Sequence, residues 1–331
     1  MITAGLVQRA PNRFSAALPM CGVLSGGVAT WNVALDGAFA LQQLIVPAAQ
    51  IVYITNPFGN LGVAEAAFAA AQATAQGRAR IALAAALGDG PGWFNPLSPE
   101  PARSDFAAQE ANQFSWITQV DGPFAFAFRA ELEARAGGNP SWNTRVDYRR
   151  QLDHSIDAQE VRALYKAAGL DLDADLAKLN SAPRISADPG AVTYLTDNIV
   201  FNGNLGHVPV LTMHTTGDGL VQVENEQAYR DAVGQGRNGK LLQQVFVHRA
   251  GHCSFTPAET ITAFQALVQR LDTKKWPNLD PQRLDAAAAA LGPSFNIFAS
   301  GGSVVATPPA FIHFRLPPFL REYDLSRHRH R

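Results

Sequence analysis

Apolar and polar positions along the chain change rhythm three times. Residues 1–10 set Leu6 and Val7 against Gln8 and Arg9, which predicts a helix that Pro11 stops. Residues 16–20 are a short apolar run closed by Cys21-Gly22, the pattern of a buried parallel strand. From Val23 helical signals take over. Residues 31–44 carry a broad apolar face, and residues 64–87 are Ala-rich and helical, with a break near Gly77. GDGPGWFNPLSPEP (88–101) is a Pro/Gly loop. Residues 105–135 predict one or two helices interrupted at Asp121-Gly122-Pro123, and 157–168 and 172–179 predict short amphipathic ones. The segment has no internal period, so it is a helical insertion and not a repeat array.

Strand and helix then alternate. VPVLTMH (208–214) predicts a buried strand, TTGDGLV a loop, and 224–233 a helix. LQQVFV (242–247) is the next strand, followed by the loop HRAGHC. Thr256-Pro257-Ala258-Glu259 has the order of a helix start: a capping hydroxyl, proline at the first helical position and Glu three residues after the cap. That helix runs to about residue 271. After Trp276 the chain is Ala-rich, and FNIFASGGSVVATPPAFIHF reads as strands around a Gly-Gly turn before a frayed SRHRHR end. The expected organisation is α/β. Residues 1–22 and 191–275 build a parallel sheet unit, 23–190 a helical cap, and 276–331 a partly β extension.

Composition narrows the function classes. At 331 residues, with 47% apolar and 17% charged side chains, the chain can bury a large core. A formal net charge of -1 offers no electrostatic footprint for nucleic acid. No run of about 18 apolar residues suggests a membrane span. The first residues lack the basic and apolar regions of a signal peptide, so the chain as written is expected in the cytoplasm. Two cysteines, Cys21 and Cys253, suffice for one bridge in an exported protein.

The chemistry concentrates in residues 208–271, where strand, G-D, helix, strand, G-H and helix follow in order. Loops at the C-terminal ends of parallel strands form the site of such sheets. Asp218 and His252, 34 positions apart, both sit just past such an end. A histidine that takes a proton from a nucleophile, and a carboxylate that fixes its tautomer, are two members of a catalytic triad. The serine does not appear. No G-x-S-x-G occurs; Gly22-Val23-Leu24-Ser25-Gly26 has the wrong spacing, and Gly302-Ser303 follows the histidine.

The segments MITAGLVQRAPNRFSAALPMCG (1–22), LPMCGVLSGGVATWN (18–32), NPSWNTRVDYRRQL (139–152), HTTGDGLVQVENEQAYRDAV (214–233) and VFVHRAGHCSFTPAE (245–259) resemble a group of bacterial, usually exported α/β-hydrolases. The resemblance spans nearly the whole chain. It implies a carboxylic-ester hydrolase with Asp218 and His252 as acid and base, a small-molecule ester substrate and no cofactor or metal. It also implies a serine elbow just before Met1, so that this chain is the C-terminal part of the fold. Tannases and feruloyl esterases are similar in carrying a cysteine beside the histidine, bridged near the nucleophile, which implies a Cys21–Cys253 disulfide. Two other readings stay open: an amide or peptide hydrolase using the same triad, and a non-catalytic remnant or binding module. A sheet without its first strands would expose an edge inviting a partner chain or self-association.

Other candidates have plainer readings. His248 and His252 are four apart but in a loop, not on the helix a zinc-protease pair requires. Asp171, Asp173 and Asp175 read as a solvated helix start, because the Gly and distal Glu of a calcium loop are missing. Met20 and Met213 read as core. Trp31, Trp93, Phe94, Phe114, Trp116, Phe124, Phe126 and Phe128 form either the cap's own core or an apolar wall for an acyl or aryl group.

Overall fold

The chain is described here by a computed structural model over residues 1–300 and 302–323, so the terminal SRHRHR lies outside the described residues. Helix α1 (Ile2–Arg9) turns Ala4 and Val7 inward. Three long helices follow: α2 (Gly27–Leu44), α3 (Pro57–Gln72) and α4 (Ala75–Leu87). The break between α3 and α4 falls at 73–74, not at Gly77. Thr74 caps α4 by accepting a hydrogen bond from the Gly77 amide at 2.9 Å. Gly77 is needed there because a Cβ would lie 2.0 Å from the Ala71 carbonyl oxygen. From Ala79 to Leu87 only Arg80 of α4 escapes burial, and its small alanines let α2 and the later helix over Ala158–Ala168 approach closely.

The interruption expected at Asp121-Gly122-Pro123 does not occur. Helix α5 (Phe106–Trp116) runs on through two π-helical turns, Ile117–Asp121 and Phe124–Phe128, into α6 (Arg129–Ala136). The Gly122 amide reaches back five residues to the Ile117 carbonyl. Pro123, which has no N–H to offer, falls at the junction of the two wide turns. Then come α7 (Tyr148–His154), α8 (Ala158–Ala168), α9 (Leu172–Ser181) and α10 (Pro189–Ile199). The pattern missed α7, which is polar and short, and α10, in which Pro189 opens a helix instead of closing a region.

The sheet lies in the second half of the chain. β1 (Val210–Gly217) is followed by α11 (Asn225–Gln235), β2 (Leu242–Ala250), α12 (Pro257–Thr273) and α13 (Pro281–Ala290). β1 and β2 pair in parallel from Val210↔Leu242 to Thr215↔Val247. Residues 16–20 line the other side of β1 with two parallel bridges, Ala17↔Val210 and Met20↔Met213. After the hairpin of β3 (Ile297–Ser300) and β4 (Ser303–Ala306), β5 (Phe311–Ile312) adds antiparallel to β2.

The capping box at α12 forms as its spacing predicts: the Thr256 hydroxyl accepts from the Glu259 amide, and the Glu259 carboxylate accepts from the Thr256 amide. Glu259 also holds Arg249 at the end of β2 through two contacts of 2.7 and 3.0 Å, and accepts from Ala310 ahead of β5. Strand end, helix start and tail are thereby tied by one buried carboxylate. No helix among the described residues is long and apolar enough to cross a membrane.

Candidate active site

The ends of β1 and β2 stand side by side. A register shift between Thr215 and Gly217 pairs Gly217 with Ala250, and the loops leaving both strands are stitched together. The Gly251 amide donates to the Gly217 carbonyl at 3.0 Å, and the Thr215 hydroxyl donates to the Gly251 carbonyl at 2.7 Å. Gly251 takes φ +88°, and a Cβ there would fall 2.4 Å from Ser254 Oγ, so only glycine fits this turn.

Asp218 and His252 leave these loops toward each other. His252 Nδ1 lies 2.9 Å from Asp218 Oδ2. The other carboxylate oxygen, Oδ1, accepts from the amides of Leu220 and Val221, both at 3.0 Å, so the turn after the strand fixes its orientation. Asp218 is buried, while the His252 side chain keeps 37% of its surface exposed. The Asp218 hydrogen bond raises the His252 pKa above its ordinary value, against a smaller opposing effect of burial. With Nδ1 engaged, Nε2 is the ring atom left to accept a proton.

Cys21 and Cys253 are free thiols in this structure, not a disulfide. Their sulfurs and a His252 nitrogen all lie within 4.8 Å of one another. The neighbouring Cys21 thiol lowers the Cys253 pKa, whereas burial raises that of Cys21. Both cysteines have left-handed backbone, φ +42° and +51°, which turns the two loops toward a common point.

The remaining candidates separate. His248 packs its ring 5.0 Å from Trp93 with Nε2 3.4 Å from Glu100, and it joins no donor cluster with His252 among the described residues. Asp171 caps α9, Asp173 pairs with Arg149 and Asp175 with Arg80, so the three carboxylates point to three partners. Ser25 is buried and commits its hydroxyl to Asn225 at 2.6 Å and Thr30 at 2.9 Å. Met213 is core, but Met20 is 39% exposed, a correction to its reading as core; it lies in the outermost strand segment.

The aromatic insertion serves two ends. Phe126 packs on Phe68 inside the helical core. Trp93 and Trp116 instead lie against the loop that carries Asp218: a Cβ on Gly219 would sit 2.3 Å from the Trp116 ring. The same π-helical stretch delivers Asp121, whose pKa is pushed up to about 8 by burial and, second, by the charge of Asp218. Nothing local in the sequence marks Asp121 or Gly219 as neighbours of the Asp218–His252 pair, whereas Trp116 belongs to the aromatic set read as cap core or apolar wall.

No protein-family model matches the chain. It is 37% identical over 230 residues to an o-phthalyl amidase from Xanthobacter agilis, a match covering 68% of this chain and 50% of the amidase. The chain thus spans about half the length of the curated relative it matches. Two solved structures are similar at low identity. Feruloyl esterase B from Aspergillus oryzae is 13% identical with a TM-score of 0.38, covering 93% of this chain and 62% of the esterase. An esterase from the same organism is 12% identical with a TM-score of 0.36, covering 96% and 65%.

Proposed function

We propose that this chain carries the acid–base half of an α/β-hydrolase-type acyl hydrolase, with His252 as general base then general acid and Asp218 as its orienting carboxylate. The observation that carries the reading is the 2.9 Å contact between His252 Nδ1 and Asp218 Oδ2 at adjacent parallel strand ends, with Asp218 Oδ1 held by two backbone amides. The nucleophile is a serine on a segment preceding Met1. In support, the Met1 nitrogen stands 3.1 Å from where a Cβ on Gly22 would lie, and its charge is felt by Cys253. A residue just upstream would therefore emerge beside the His252 loop. In the reaction His252 takes the serine proton as the hydroxyl attacks the acyl carbon, then returns it to the leaving group.

The bond cleaved is a carboxylic ester, with an amide as the second reading, favoured by the 37% identity to an amidase. Under oxidising conditions Cys21 and Cys253 join as a disulfide that clamps the histidine loop. A partner, or the preceding part of the sheet, covers the open edge of residues 16–20.

The test begins with the coding sequence upstream of Met1, expected to contain an in-frame G-x-S-x-G. The chain extended through that segment should hydrolyse p-nitrophenyl esters or anilides, and His252→Ala should abolish turnover. Stop codons upstream would favour the non-catalytic remnant. Robust His252-dependent turnover by residues 1–331 alone would overturn the placement of the nucleophile.

A further inference from the structure

Asp218 is flanked by two glycines, and each lies under a tryptophan ring from the helical region. A Cβ on Gly219 would stand 2.3, 2.6 and 2.7 Å from Trp116 Cδ2, Cε2 and Cε3; one on Gly217 would stand 3.1 Å from Trp93 Cε3. Neither glycine has left-handed backbone; at Gly219 the Trp116 ring excludes a side chain, while at Gly217 Trp93 shares the close approach with the Ala250 Cα, also 3.1 Å away. Trp116 is itself held rigidly. It is 3% exposed, donates from Nε1 to the Trp93 carbonyl at 2.9 Å, and meets the Phe94 ring edge-on at 4.8 Å. Trp93 donates in turn from Nε1 to the Ser98 carbonyl at 3.0 Å.

Gly219 belongs to the turn whose next two amides, Leu220 and Val221, bind Asp218 Oδ1. A shift of that turn moves both donors and swings the carboxylate away from His252 Nδ1. We propose that Trp116, backed by Trp93, is a positioning residue: it presses on the Gly219 backbone and so holds the Asp218 turn in the geometry that engages His252. The helical insertion is then part of the device that sets the acid, in addition to covering the site. This rests on the acid–base reading of Asp218 and His252 given above. Orientation of this kind matters because a displacement of about 1 Å in a supporting group can cost on the order of a hundredfold in rate.

The experiment is a titration of the His252 ring by NMR in the full chain carrying isotope-labelled histidine, with thermal melting in parallel. In the parent protein His252 should titrate above the ordinary value of about 6.5. Asp218→Asn removes the carboxylate charge and defines the full downward shift. Trp116→Ala is expected to produce more than half of that shift. Gly219→Ala, which keeps the ring and drives a methyl into it, should move His252 in the same direction. The double variant should match Trp116→Ala alone, since ring and methyl no longer compete. If Trp116→Ala and Gly219→Ala lower the melting temperature while His252 titrates as in the parent, the tryptophan only fills space and the proposal is overturned. Should Trp116→Ala fail to fold, Gly219→Ala and Trp116→Phe decide by the same readout. If Asp218→Asn leaves the titration unmoved, the acid–base pair itself is absent, and the proposed function falls together with the clamp.

Discussion

The helical region and the sheet unit bury their apolar surface in different ways. Most helices between Gly27 and Ser181 close around α4, and Ile81, Leu83, Phe68 and Phe126 lie at or near zero exposure in one continuous core, with α10 packed in a smaller cluster beside it. The sheet instead distributes its core over separate smaller clusters, one around Val208, Val210 and Tyr229 and another around Leu211, Met213 and Val247. Both regions leave large apolar side chains outside: Phe58 at 75% and Ile156 at 66% exposure on the helical side, Ile2 at 73% and Phe264 at 57% on the flanks of the sheet. A helical bundle satisfies its backbone internally, whereas each sheet edge offers unpaired groups. The Asp218–His252 pair sits where the two meet, both residues on the sheet and two rings from the helical region against the Asp218 turn.

The largest effects should come from breaking each side's principal buried contact. Arg249→Met strands the Glu259 carboxylate at the junction of β2, α12 and the tail, and is expected to cost about 3–5 kcal/mol. Leu83→Ala opens a cavity in α4 at about 2–5 kcal/mol. Calorimetry should assign the two losses to different parts of the melting profile. Identical loss across one transition would mean that the two regions fold as a single unit and would break the comparison.

A smaller effect separates the regions by pH. Burial pushes Glu110 up to about 7 and Glu160 up to about 8, with Asp157 up to about 7 beside them. A carboxyl whose folded pKa exceeds its unfolded value near 4 contributes stability that is full below pH 4 and is lost as pH rises through 7–8. The helical region should therefore melt several degrees higher at pH 5 than at pH 8.5. Glu160→Gln should flatten that slope, and melting curves followed across the range would show it. A slope unchanged by the substitution would move its origin elsewhere.

The smallest expected effect on stability is Phe264→Ser on the exposed face of α12, within about 0.5 kcal/mol. Its consequence lies in association: light scattering should show less self-association than in the parent. Equal association would mean that this flank is not the covered one.

What was legible depended on how local the signal was. The capping box at Thr256 and Glu259, the strands before the Asp218 and His252 loops, and the G-D and G-H positions could all be read from a few consecutive residues. The continuous helix through Asp121-Gly122-Pro123 could not, because Gly and Pro normally punctuate and the π register that absorbs them is set by packing. Helix α10 was missed for a related reason: Pro189 serves equally as the end of one segment and the first residue of another.

The chain's own order of residues determined that an aspartate and a histidine leave neighbouring strand ends, since alternating apolar runs, turn formers and caps act over short distances and hold wherever the segment lies. Only the tertiary structure decided what surrounds that pair. Trp116 against Gly219, Asp121 within reach of Asp218, and Cys21 beside Cys253 as thiols are contacts between residues roughly a hundred or more positions apart. Such contacts leave no period in the sequence. They arise from how a helical bundle and a sheet edge share one interface, where shape and excluded volume select the partners.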